Sequence, residues 1–138
     1  MSKKISLTMS LPHIPDIELV ALEGLDRLAH HLGISDDKIG EARIVVTEAI
    51  LNALEHAGAH SPPVLVEFTM TADTLVVFVR DGGKGFVPSE VEDPVLETKL
   101  GSADKRGWGL KLMKSLADDC RIESGKTGTT ITITKRMR

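Results

Sequence analysis

The chain has 138 residues, 41% of them apolar and only 3% aromatic, with no Tyr and a formal net charge of −3. That length fits one domain over 1–138, and the apolar fraction supports an aliphatic core and excludes a disordered chain. A pI near 5.9, without clustered Lys and Arg, argues against direct nucleic-acid binding, which needs a basic footprint. The closing KRMR (135–138) reads as a solvated end. One cysteine, Cys120, permits no intrachain disulfide, and His13, His30, His31, His56 and His60 form no metal-ligand spacing. The N-terminus lacks the apolar run of a signal peptide, and no segment reaches the ~20 apolar residues of a membrane span. A cytoplasmic protein without membrane contact is expected.

KISLTMSL (4–11) alternates apolar and polar residues, which predicts a strand. Residues 16–32 carry a helical stripe of Ile17, Val20, Ala21, Leu25, Leu28 and Leu32, opened by Asp16, stopped by Gly33 and weakened slightly by Gly24. Residues 35–58 predict the longest helix, capped by Ser35, with Asp36 and Asp37 in its first turn and Gly58 at its end. VLVEFTMT (64–71) and TLVVFVR (74–80) predict a hairpin. Residues 81–106 are rich in Gly, Pro and charge, a long loop of the kind that compact domains keep for function. Helix 107–119 and a second hairpin turning at GKTG complete the order β-α-α-β-β-loop-α-β-β. That order predicts an α+β fold, a two-layer sandwich with helices on one face of the sheet.

On the long helix, a turn of ~100° per residue brings Glu41, Glu48, Asn52 and Glu55 into an arc of roughly 60°, with His56 at its edge. Most such seams are only the wet side of an amphipathic helix. Val45, Ile44 and Leu51 flank this one, however, so its middle is expected to be partly enclosed. A carboxylate there can accept a proton, and an amide oxygen suits Mg²⁺. DGGKG (81–85) follows a strand. As a turn it needs fewer glycines, whereas Asp81, Gly83 and Gly85 together let backbone approach a flat ligand. KRGWGL (105–110) opens a helix with two glycines, where free N–H groups and the dipole favour phosphate; a flexible hinge is the equally plain alternative.

In that order, TEAILNALEHA, DGGKGF, RGWGL and GTTITI resemble the ATP-binding domain of gyrase, histidine kinases and the MutL proteins, the GHKL superfamily with the Bergerat fold. Within it the chain resembles the stand-alone bacterial anti-sigma factors that are also serine-protein kinases. The resemblance covers nearly the whole chain. It implies a mixed, mainly antiparallel sheet, with ATP held between the helices and residues 81–110 under a lid at about 86–106. Glu48 corresponds to the catalytic carboxylate, Asn52 to the Mg²⁺-binding asparagine and Asp81 to the acid that binds the adenine amine. Gly83 and Gly85 would shape the adenine pocket. Gly107 and Gly109, with the adjoining Leu110, would lie near the phosphates, where Lys105 or Arg106 adds charge. Thr129, rather than Thr130, would support Asp81. His56 matches a position often histidine in the branch and is given a structural role.

The resemblance therefore implies ATP and Mg²⁺ as cofactors and a serine/threonine-protein kinase. Its substrate would be an anti-sigma-factor antagonist of the STAS type, its second partner a sigma factor, and its assembly a homodimer. Two other readings are a nucleotide-dependent binding module without kinase activity and a detached histidine-kinase ATP domain.

Overall fold

A computed structural model of the chain describes residues 3–58, 61–82, 105–126 and 128–138 and, for His56 and residues 105–108, the backbone alone. β1 (Ile5–Leu11) leads into α1 (Ile17–His31) and α2 (Asp36–Ala57). β2 (Val64–Met70) and β3 (Thr74–Asp81) form the first hairpin. α3 (Lys105–Leu116) precedes the second hairpin, β4 (Asp119–Gly125) and β5 (Gly128–Arg136). The strand order is β1-β2-β3-β5-β4, and every pairing is antiparallel.

Strict alternation selects the inner face of this sheet. Val64, Val66, Phe68 and Met70 on β2 and Leu75, Val77 and Val79 on β3 are buried, while their neighbours face outward. Ala21, Leu25 and Ala29 of α1 and Ala42, Val45, Val46, Ala49, Ile50 and Ala53 of α2 close the same core. The inner layer is aliphatic and rich in alanine, so the helices lie close to the strands. Gly24, which as an isolated helix residue is a weakness, sits where α1 crosses β1. A Cβ there would stand 2.7 Å from Leu7 Cδ2.

The helix ends follow their local chemistry with one exception. Ser35 accepts a hydrogen bond from the Lys38 N–H at 3.4 Å, as its capping role requires. Gly33, at φ 70, completes a Schellman end: Ile34 N–H donates to the Ala29 carbonyl and Gly33 N–H to the His30 carbonyl. Asp16 is the exception. It precedes α1 in a left-handed conformation, and its side chain makes no capping bond.

The last strand corrects the reading of KRMR as a solvated end. β5 continues through Arg136, and Lys135 and Met137 are each only 2% exposed. Thr129, Ile131, Ile133, Lys135 and Met137 form one inward stripe. Among the described residues no helix is long and apolar enough to cross a membrane.

Candidate functional site

α2 carries the first part of the site. Glu48 and Asn52 are one turn apart and share a face. The wet-seam reading fails at its middle: Asn52 is 4% exposed, and one Glu48 carboxylate oxygen is fully enclosed. The ends of the seam are different. Glu41 keeps 37% of its side chain exposed and Glu55 is exposed. The Asn52 Nδ2, a donor, has no hydrogen-bond acceptor among the described residues. Such a group costs roughly 1–3 kcal/mol when it stays unpaired in the interior.

The second part lies where the end of β3 pairs with the start of β5. Asp81 pairs in register with Thr129, and each is 2% exposed. Thr129 donates its backbone N–H to Asp81 Oδ1 at 3.2 Å, so the strand itself orients the carboxylate. The Thr129 hydroxyl is engaged with the Ser124 hydroxyl at 2.9 Å. Gly128 makes this approach possible. It sits at φ 135, and a Cβ would collide with the Asp81 carbonyl and stand 3.2 Å from Gly82 Cα. Beside Asp81 and Gly82, with Pro62, Pro63, Leu65 and Arg80, is a shallow hollow of about 180 Å³.

The third part is the start of α3, which packs along α2. Gly109 and Leu110 are buried there. A Cβ on Gly109 would collide with the Glu48 carboxylate, 2.7 Å from its Cδ. Gly109 therefore allows helix backbone to lie directly against the acid. The geometry thus joins Gly109 to Glu48 and Thr129 to Asp81, and sets Asn52 one turn beyond Glu48.

These features accompany a family match. Residues 16–135 match the histidine kinase-like ATPase domain. The chain belongs to that family. This GHKL-type ATPase domain is 29% identical over 135 residues to the serine-protein kinase RsbW of Oceanobacillus iheyensis, covering 90% of this chain and 82% of the relative. It is 33% identical over 106 residues to the anti-sigma F factor of Bacillus licheniformis, covering 73% and 71%. It therefore falls in the branch of anti-sigma factor serine-protein kinases. Among solved structures, the RsbU and RsbW domains of Rv1364c from Mycobacterium tuberculosis superpose with a TM-score of 0.71 at 20% identity. That match covers 96% of this chain and 32% of the longer one, and it concerns the fold.

Several expected site residues of this ATPase domain lie outside the described residues: Gly83, Gly85 and the lid up to residue 104. The side chains of Lys105, Arg106 and His56 do too, while the backbone of Lys105, Arg106 and Gly107 forms the first turn of α3. Sequence reasoning missed two contributors. Ser124 is visible only through the hairpin register that sets it opposite Thr129. Gly128 is a turn glycine by sequence, and its contact with Asp81 emerges only from strand pairing.

Proposed function

We propose that the chain is an ATP-dependent protein serine/threonine kinase and anti-sigma factor, a single nucleotide-binding domain over 1–138. Its substrate is an anti-sigma-factor antagonist of the STAS type, and its other partner is a sigma factor. The observation that carries this reading is Asn52: its buried Nδ2 has no hydrogen bond among the described residues, one turn from Glu48. A polar group kept at that cost suits a ligand that arrives from outside.

The buried Asn52 Nδ2 is a donor and suits a phosphate oxygen, while the amide oxygen, a hard neutral ligand, would hold Mg²⁺, which when bound would neutralise phosphate charge. Asp81, oriented by the Thr129 N–H, accepts a hydrogen bond from the adenine amine. Gly83 and Gly85 leave room for the ring. The Gly107 N–H in the first turn of α3 and the charge of Lys105 or Arg106 serve the phosphates, beneath a lid at about 86–106, while Gly109, further in, packs on Glu48. Glu48 takes the proton of a serine or threonine hydroxyl as that oxygen bonds to the γ-phosphorus and the bond to ADP breaks. The new phosphate adds charge to the antagonist at the contact and releases it, which frees the kinase for sigma. The assembly is a homodimer, to be checked by sedimentation.

The test is transfer from γ-labelled ATP to candidate antagonists. Acid-stable label on serine or threonine is expected. ATP binding with no transfer to any candidate would leave a nucleotide-dependent binding module, and acid-labile, base-stable label would assign a histidine-kinase domain instead.

A further inference from the structure

Lys135 lies in the apolar inward stripe of β5, and only 3% of its side chain is exposed. Its ammonium donates to Glu41 Oε2 at 3.2 Å and to the Leu116 carbonyl at 3.1 Å. Glu41 belongs to α2, and Leu116 is the last residue of α3. A cation on terminal helix carbonyls also matches the negative end of the helix dipole. Around it, Asp118 N–H donates to the Thr134 carbonyl at 2.9 Å, and Arg136 N–H to Asp118 Oδ2 at 2.6 Å. The C-terminal end of α3 is thereby fastened to β5.

A second link between α2 and α3 is the contact of Gly109 with Glu48. From Glu41 to Glu48 is seven residues, and from Gly109 to Leu116 is also seven. The two helices therefore run antiparallel with matched links about 10 Å apart along each axis. One link is the Lys135 clamp; the other touches the proposed catalytic acid.

We infer that Lys135 is a positioning residue for phosphoryl transfer: by tying the end of α3 to Glu41 it sets the register of α3 on α2, and so the placement of the Gly109 backbone against Glu48. The inference rests on the kinase reading for its effect on transfer, and on the structure alone for its effect on α3. A displacement of ~1 Å at reacting groups can lower a rate by up to about a hundredfold, so a clamp two turns away has leverage.

Two measurements on Lys135→Met test this. Methionine fills the same apolar slot, and Glu41 retains Lys38 at 3.3 Å and solvent, so the variant is expected to fold. Hydrogen exchange of the α3 amides from Gly109 to Leu116 should quicken about tenfold, with the β2 and β3 amides unchanged. The kcat for transfer should fall about tenfold with little change in KM for ATP. Parental exchange in α3 would overturn the clamp, and quickened exchange with parental kcat would overturn its positioning role. If the parent transfers no phosphate, the kinase reading fails while the exchange comparison still decides the clamp. If Lys135→Met does not fold, Glu41→Gln gives the same comparison. Its charge-neutral amide should quicken exchange in the last turn of α3 by about threefold, and parental exchange there would overturn the clamp.

Discussion

Among the polar side chains shut inside this molecule, Lys135, which meets the Glu41 end of the α2 seam, and Asn52, further along it, are handled in opposite ways. Lys135 is 2% exposed and has an acid and a helix-end carbonyl as partners. Asn52 is 4% exposed and its Nδ2 has no hydrogen bond among the described residues. Desolvation is costly for both, and more so for the charge. At Lys135 the fold itself supplies the compensation, so the group works as architecture. At Asn52 the described residues supply none to Nδ2, and the proposed function assigns that compensation to the nucleotide. Burial alone would not separate the two roles, whereas the state of pairing does.

If the Asn52 end is the reactive one, changes there should cost activity before stability. The largest effect is expected for Glu48→Ala. Transfer should fall by roughly 10²- to 10⁴-fold, the range of a general base, while ATP affinity stays near the parent value. Unchanged transfer would remove Glu48 from the mechanism. Asp81→Asn keeps the shape and an acceptor for the Thr129 N–H but turns one carboxylate oxygen into a donor. ATP affinity should drop roughly ten- to hundredfold, the worth of a hydrogen bond to a charged group, and the preference for ATP over GTP should shrink. Parental affinity for both nucleotides would show that Asp81 does not read adenine.

Asn52→Ala sharpens the contrast most directly. Removing an unpaired amide relieves desolvation, and the lost packing offsets that gain, so stability to urea should change by no more than about 1 kcal/mol. The same variant should lose the extra thermal stabilisation that Mg²⁺ adds to ATP in the parent. A large loss of stability would mean that Asn52 is structural, like Lys135.

Most of the architecture was legible because its signals are local. The apolar runs 64–71 and 74–80 predicted both strands, found at Val64–Met70 and Thr74–Asp81, and Ser35, Gly33 and Gly58 marked helix ends by their own chemistry. The candidate site rests in the sequence on an ordered set of motifs, and Glu48 and Asn52 share a face by helical period alone. What escaped depends on pairing across distant segments. Ser124 and Gly128 gain their roles from the β4–β5 and β3–β5 registers. Lys135 was misread because a KRMR ending looks polar, although its position extends the alternation of Thr129, Ile131 and Ile133 to an inward site. A lysine at an inward position of a strand asks for a partner, and Glu41, 94 residues earlier, is not visible from the strand.

The smallest effect tests the closed end through pH. The Lys135 hydrogen bond, followed by that of Lys38, holds the Glu41 carboxyl below its ordinary value of 4.5. In the unfolded chain those partners are gone, so there the carboxyl takes up its proton at higher pH than in the folded state. The stabilisation from this group is therefore complete above about pH 4.5 and fades as the pH falls through the lower folded-state value. Because more than a third of the Glu41 side chain is exposed, the effect is small and salt weakens it. Urea unfolding of the parent and of Glu41→Gln across pH 3 to 6 should show the parent losing its advantage at the acid end, with the two curves converging there. Parallel curves over the whole range would mean that Glu41 does not feel Lys135, and the contrast between a closed and an open polar end would lose its closed half.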